Sequence, residues 1–148
     1  MPLNPDAVKI IRANLELLKE GGRPKVVSIG YLTQEQHKAI NALRDKEGKP
    51  RLESPEILFM GRHMYASRSD DGYTIDDIIA MIESALCNES EAVPHAKMTG
   101  MINYKHRTDA YGNKVQDLAV LELYARRPKA ELFSVIPKGD TKPKERPK

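Results

Sequence analysis

The chain of 148 residues carries a formal net charge of +3 and one cysteine, Cys87. That length can bury the core of one domain, and one cysteine excludes an intramolecular disulfide framework, so a reducing cytoplasm is the expected location. No apolar run approaches the roughly 20 residues that a membrane-crossing helix needs, so we expect no contact with a membrane.

The net charge is concentrated at the C-terminal end. Residues 138–148 (KGDTKPKERPK) hold five basic and two acidic residues, which equals the whole excess, so residues 1–137 are neutral. A neutral body exerts no long-range attraction on a polyanion. Because the segment has two prolines and no apolar side chain, it is predicted to be a disordered basic tail that follows a single domain over 1–137.

The first predicted helix begins with Asn4 as N-cap and Pro5 at the first helical position, and it ends at Gly21 and Gly22. Its apolar residues recur three or four positions apart, as in a helix that packs one stripe on a core: Val8, Ile11, Leu15 and Leu18. Residues 25–29 (KVVSI) form a short β-branched run, which predicts a strand.

A capping box of Thr33 and Gln36 predicts the start of a second helix. This helix is expected to run to about Lys46 and to end at Gly48. Its inward-facing residues would be Ala39, Ile40 and Leu43.

Residues 57–66 alternate in a way that predicts a strand. One face would carry Ile57, Phe59, Gly61, His63 and Tyr65, and the other Leu58, Met60, Arg62, Met64 and Ala66. Both faces are apolar before Arg62, so we expect a central strand that is covered on both sides.

Asp71 and Gly72 indicate a turn, and Thr74 with Asp77 forms a second capping box. The helix that it opens is predicted over about 75–87. Its apolar stripe consists of Ile75, Ile78, Ile79, Ile82 and Leu86.

The remaining sequence predicts three antiparallel strands, at 97–107, 116–126 and 131–137, joined by turns at 110–113 and 127–130. Helices precede the strands, which indicates an α+β fold. The predicted architecture has N-terminal helices followed by an antiparallel β-meander, with one helix packed on the sheet.

The common nucleotide-binding, zinc-protease and serine-hydrolase motifs are absent, and the histidines are not spaced as pairs of metal ligands. We therefore expect no metal site and no cofactor. Cys87 lies at the end of an apolar helix, so we expect a buried thiol rather than a nucleophile.

Several basic and hydroxyl side chains on the predicted strands are of the types that cleave RNA without a metal. They include Arg62, His63, Arg68, Lys105, His106, Arg107 and Ser134. Such cleavage needs a base for the 2′-hydroxyl, an acid for the departing 5′-oxygen and cations for the charge on the phosphorane. Histidine can serve as either base or acid near neutral pH.

Each of these residues also has a structural interpretation. His63 can be a hydrogen-bonded strand histidine, the two nearby arginines can pair with aspartates, and Ser134 can occupy the solvent face of a strand. The segregation of charge along the sequence also has two interpretations. Residues 69–96 contain acids and no Lys or Arg, whereas residues 97–107 contain bases and no acid. This fits either an acidic helix beside a basic strand or a strand surface that faces a polyanion.

An RH-containing strand, a helix in GYTIDDIIAMIESAL and a meander that ends in LFSVIPKG follow one another over about residues 54–139. This order resembles the phage-associated branch of the barnase, EndoU, colicin and RelE-like ribonuclease toxin superfamily. The resemblance implies that His63 is an acid or base, that Lys105 or Arg107 contacts the phosphate, and that Ser134 is the hydroxyl on the last strand.

Two functions remain open at this point. One is a metal-independent ribonuclease of mobile-element or toxin type, with RNA as substrate and a cognate inhibitor as partner. Its site would use His63, His106 and Ser134 for catalysis, with Arg62, Arg68, Lys105 and Arg107 on phosphate. The other is a non-catalytic accessory module that binds nucleic acid through the tail and the strand at 97–107, or a partner protein through a sheet edge.

Overall fold

A computed structural model describes residues 3–95, 100–122 and 130–146. The helices are α1 (Ala7–Lys19), α2 (Gln34–Lys46), α3 (Arg62–Asp70) and α4 (Ile75–Ala85). The strands are β1 (Val27–Tyr31), β2 (Glu56–Phe59), β3 (Glu91–His95), β4 (Gly100–Thr108), β5 (Lys114–Glu122) and β6 (Ala130–Lys138), and a short 3-10 helix spans Pro143–Glu145. None of the helices described is long and apolar enough to cross a membrane.

The strands form one mixed, six-stranded sheet in the order β1-β2-β6-β5-β4-β3. β2 and β6 run parallel, and the other neighbouring pairs are antiparallel. The predicted α+β class is confirmed. The sheet is larger than the predicted meander, because β1, β2 and β3 also join it and β6 lies in its interior. Residues 97–99 and 123–126 of the predicted strands lie outside the described residues.

Both predicted capping boxes are present. At the start of α2, the Thr33 hydroxyl accepts from the Gln36 N–H at 3.1 Å, and the Gln36 side chain accepts from the Thr33 N–H at 3.0 Å. Thr74 and Asp77 exchange the same two bonds at the start of α4, at 3.1 and 2.9 Å. α1 begins later than predicted, with Asp6 as its N-cap. Local hydrogen bonds therefore set where α2 and α4 begin.

The prediction of one strand over 57–66 is wrong in its second half. β2 ends at Phe59, and α3 begins only two residues after Met60. Between them Gly61 has a φ of +91°, and a Cβ atom there would lie 2.6 Å from the Phe59 ring, so this corner requires glycine. The alternation beyond the corner therefore reflects a helix with one buried residue, Met64, and not a strand.

The helices cover one face of the sheet. α4 packs on β4, β5 and β6, while α1 packs on β1, α3 on β6, and α2 on β3 and β4. Alternate residues of β5 are buried in the core that these helices share: Val115, Asp117, Ala119 and Leu121. The intervening residues of β5 are partly exposed, and so is Leu58 of β2, so the expectation that the strand beginning at Ile57 is covered on both sides does not hold.

The C-terminal segment over residues 139–146, for which the sequence predicts disorder, contacts the rest of the domain. β6 extends to Lys138, and the chain then returns over the turn at Gly72. Gly72 has a φ of +95°, and a Cβ atom there would lie 2.9 Å from the backbone nitrogen of Lys144. The Lys144 N–H donates to the carbonyl oxygen of Asp71 at 3.3 Å. This segment therefore packs as part of the fold.

We expect Gly61→Ala to lower the free energy of unfolding more than Gly48→Ala does. Both glycines have positive φ, +91° and +67°, but only a Cβ atom at position 61 would meet other atoms within 4 Å. A left-handed alanine costs about 1–2 kcal/mol by itself, and the clash with the Phe59 ring adds to that cost. Urea unfolding followed by circular dichroism measures both variants, and equal losses would contradict a tight corner at Gly61.

Candidate functional site

A polar cleft lies on the helix-covered side, between α4, the turn after β4 and the C-terminal segment. Its volume is about 390 Å³. The polar and charged residues that line it are Tyr73, Asp77, Ser84, Arg107, Asp109, Tyr111, Asp117, Asp140 and Arg146. The density of charge in this cleft makes it the first place to look for a catalytic site.

Two buried carboxylates and one arginine form the centre of the cleft. The side chains of Asp117 and Asp140 are 1% and 2% exposed. Arg107 Nε donates to Asp117 Oδ2 at 2.8 Å, and Arg107 Nη2 lies 3.7 Å from Asp140 Oδ2. Partial burial lowers the pKa of Arg107, but the hydrogen bond to Asp117 and the charges of both carboxylates outweigh it and raise the pKa. Arg107 therefore remains charged and neutralises the buried carboxylates.

Asp140 connects the C-terminal segment to the body through further donors. The Tyr73 hydroxyl donates to Asp140 Oδ2 at 2.7 Å, and Arg146 Nη2 donates to the same oxygen at 3.3 Å. On the other carboxylate, Ser84 donates to Asp117 Oδ2 at 2.8 Å. Burial, followed by the hydrogen bond to Asp140, raises the pKa of Tyr73 far above its usual value. Tyr73 is therefore a neutral donor rather than an acid or base at physiological pH.

The charges of this cleft suit a structural role better than phosphate binding. Its lining contains two guanidinium groups and four carboxylates, of Asp77, Asp109, Asp117 and Asp140, which together repel an anion. Within residues 3–95, 100–122 and 130–146, no group of three or more His, Cys, Asp or Glu side chains is placed to hold a metal ion. We therefore interpret the cleft as the place where the fold pairs its buried charges.

Two other predicted phosphate contacts are also paired with carboxylates. Lys105 Nζ donates to Glu89 Oε2 at 3.0 Å, and this bond, with smaller contributions from Cys87, raises the pKa of Lys105. Arg68 Nη2 lies 3.5 Å from Asp71 Oδ2. These contacts favour the structural interpretation of the charge pattern, in which the acidic stretch neutralises neighbouring basic residues.

Arg62 and His63 lie at the start of α3, where both are exposed. The His63 ring stacks on Phe133 of β6, with ring centroids 4.5 Å apart and planes 13° apart. All three residues line a groove of about 370 Å³ between α3 and the start of β6. The structure therefore brings His63 next to the residue that precedes Ser134.

His106 lies far from both of its predicted catalytic partners. It is exposed on β4 and makes an edge contact with Tyr104, whereas Ser134 is 5% exposed on β6. Across β5, His106 is level with Lys138 of β6. Four residues along the strand and two strand spacings across the sheet then separate His106 from Ser134. Their Cα atoms are therefore about 16 Å apart. Neither direct nor one-water proton transfer spans that distance, so His106 does not share a site with Ser134 or with His63 beside it.

The sheet face opposite the helices carries apolar side chains next to polar ones such as His106, Gln116 and Ser134, and its apolar side chains are not part of the buried core cluster. This surface is termed the open face, and its apolar side chains are Tyr31, Leu58, Val93, Ile102, Leu118, Val120 and Ile136. Five large apolar residues are exposed in the described part of the chain, and three of them lie on this face: Tyr31 at 52%, Val93 at 42% and Ile136 at 37%. The open face is therefore a second candidate site.

Sequence reasoning missed the open face, although one signal for it exists. In β5 both alternating series are apolar, with Leu118 and Val120 on one face and Ala119 and Leu121 on the other. Such a strand is typical of a sheet that is covered on both faces. The described helices cover only one of them.

Comparisons with protein-family models, curated protein sequences and solved structures found no match. Function is therefore inferred from the chemistry of this chain alone.

We expect Arg107→Ala to lower the free energy of unfolding by about 3 kcal/mol, because it leaves the buried carboxylate of Asp117 without its cation. The matched control is Arg62→Ala, which removes an exposed arginine and should change stability by less than about 0.5 kcal/mol. Chemical denaturation measures both. Equal, small losses would show that Arg107 is not needed for folding and would return it to the candidate phosphate contacts.

Proposed function

We propose that the protein is a non-catalytic accessory module that binds a partner protein through the open face of its sheet. The observation that carries this proposal is the set of exposed aliphatic side chains on a six-stranded sheet, such as Val93 and Ile136. A sheet gains stability when its apolar face is covered by another layer. Here the partner protein would supply that layer.

The arrangement of the open face supports a continuous contact. Its apolar side chains lie in two neighbouring rows. Val93, Ile102 and Val120 form one row over β3, β4 and β5, and Leu118 and Ile136 lie side by side on β5 and β6 in the other. Fully burying one Val, Leu or Ile side chain contributes about 1.5–3 kcal/mol relative to full exposure. Several partly exposed side chains in adjacent positions can therefore support a specific interface.

The face, rather than an edge of the sheet, is the proposed contact surface. At one edge β1 is covered through the bridge between Leu3 and Gly30. At the other edge β3 contains Pro94, which has no N–H to offer to an added strand. Both features protect sheet edges against pairing with another chain.

A protein partner suits the charges better than a nucleic acid on this surface. Residues 1–137 are neutral, and Lys105 and Arg107, on the strand that was expected to face a polyanion, are paired with carboxylates. The two apolar rows contain no cation, and the next row on this face holds one lysine, Lys138, with His106 and Gln116. We also propose a cytoplasmic location, which the free thiol of Cys87 supports.

A photo-crosslinking amino acid at position 136 tests this proposal in cells that produce the protein. We expect a discrete adduct with another protein chain from position 136, and its loss when Leu118→Lys places a charge in the middle of the open face. The same crosslinker at the exposed Lys38 of α2 is the control and should give no such adduct. Absence of an adduct at 136, or an adduct that Leu118→Lys leaves unchanged, would contradict binding through this face.

A metal-independent ribonuclease is the second candidate, and one observation supports it. Arg62 and His63 border the same groove as Phe133, so a cation that can bind phosphate, a proton-transfer group and an aromatic ring meet there. In this proposal Arg62 contacts the phosphate, His63 transfers the proton and Phe133 stacks on a base. Ser134 follows on the same strand, and His106 takes no part.

Incubation of purified protein with total RNA in EDTA tests the ribonuclease proposal. Wild type should cleave, and His63→Ala should slow cleavage by about 10²–10⁴-fold, the usual contribution of a general acid or base. His106→Ala is the matched control and should cleave at the wild-type rate. A wild-type protein that does not cleave RNA, or that cleaves equally well without His63, would exclude this candidate.

A further inference from the structure

A second groove, of about 260 Å³, lies between the end of α3, the turn that follows it and residues 136–142. Arg68, Lys138 and Lys142 line this groove, and Lys144 contacts the same turn. Arg68 is remote in sequence from the three lysines, which lie within residues 138–144. They meet because the C-terminal segment folds back over the turn, and this places most of the net charge of the chain in one location.

Three of these cations converge on one carboxylate. Asp71 has a side chain that is 10% exposed, and its oxygens lie 3.5 Å from Arg68 Nη2, 3.3 Å from Lys142 Nζ and 3.7 Å from Lys144 Nζ. One carboxylate neutralises only one of the three, and Lys138 adds a further charge in the groove. Cations this close repel one another, and an anion among them would relieve that repulsion.

Other acidic residues do not neutralise the excess. Asp140 also lines the groove, but its carboxylate is paired with Arg107 and Arg146. Asp70 and Glu145 are exposed and do not line the groove. The groove therefore keeps a positive charge although the body of the protein is neutral.

The Arg68 guanidinium has hydrogen-bonding capacity to spare. Its side chain is only 15% exposed, its ion pair with Asp71 is long at 3.5 Å, and its Nε has no hydrogen-bond partner among the described residues. A guanidinium carries five N–H donors in a planar fork that matches the oxygens of a carboxylate or phosphate. Packing thus holds Arg68 in place, with its Nε buried and without an acceptor among the described residues.

From this geometry we propose that the groove binds a phosphate group, either free or esterified in a small molecule or a nucleic acid. Arg68 contacts the anion oxygens, and Lys138, Lys142 and Lys144 provide the surrounding charge. Ile136 lies in both this groove and the open face, so the two surfaces adjoin. The phosphate site nevertheless binds a different class of partner and goes beyond the proposed protein-binding function.

Isothermal titration calorimetry of the full chain with inorganic phosphate, at low ionic strength and with chloride as the reference anion, tests the site. Wild type should bind phosphate with saturation, and affinity should fall as salt is added. The double variant Lys142→Gln with Lys144→Gln should weaken binding at least about tenfold, because it removes two charged contacts. Arg68→Gln should weaken it similarly if that variant folds.

The matched control is Lys38→Gln with Lys46→Gln, which removes the same charge from the exposed surface of α2 and should leave the affinity unchanged. A parallel titration with a short single-stranded RNA distinguishes the source of the phosphate. Binding of phosphate alone indicates a small-molecule ligand, and binding of RNA alone indicates a phosphodiester, provided that the lysine variants weaken it. No binding of either probe, or binding that the Lys142 and Lys144 substitutions do not weaken, would overturn the proposal.

Discussion

Asp117 and Asp140 are buried carboxylates, and each must be paired with a cation or with hydrogen-bond donors. The C-terminal half of the structure depends on this constraint. A carboxylate that is almost fully buried must meet a cation or several donors, because an isolated buried charge is far too costly. Arg107 meets both carboxylates, and Tyr73 reaches across from the helix side to Asp140. Since Asp140 lies two residues after the end of β6, its pairing fixes the direction in which the chain leaves the sheet.

The same constraint divides the basic residues into two groups. Arg107 and Arg146 are balanced by the carboxylates of the cleft, so they stabilise the fold and add no net charge to the surface. The lysines of the C-terminal segment have only Asp71 nearby, and they remain in excess. A chain with a small net charge can therefore carry a groove with an excess of cations beside a cleft with an excess of carboxylates. The total charge of a sequence describes neither the groove nor the cleft.

Local sequence was sufficient where local hydrogen bonds decide the structure. The capping boxes at Thr33 and Thr74 placed the starts of α2 and α4, and the order of helices and strands gave the α+β class. The turn at Gly61 could not be foreseen, because its sharpness depends on packing against the Phe59 ring. Over so few residues, alternation and helical spacing also predict the same apolar positions. Strand β3 is short and contains Pro94, and neither feature predicts a strand.

The sequence also showed which basic residues are present, but it did not show which groups they contact. Whether Arg107 meets a phosphate or a carboxylate depends on the register, which pairs it with Val115 and so makes Asp117 its diagonal neighbour on the following strand. The distance between His106 and Ser134 likewise depends on strand order, which periodicity within one strand does not contain. The sequence therefore gives the side chains that could carry out the chemistry. Whether those side chains lie close together depends on how the strands pair.

The position of β6 has a consequence for how the protein folds. Along the described chain β6 is the last strand, yet it lies inside the sheet, where it pairs with β5 on one side and in parallel with β2 on the other. Ile57 of β2 has Ala130 as its neighbour, so β1 and β2 cannot join the other strands before β6 exists. Such pairing between distant segments is slow and leaves strand edges exposed meanwhile. During synthesis the amino-terminal strands must therefore wait until the last strand leaves the ribosome.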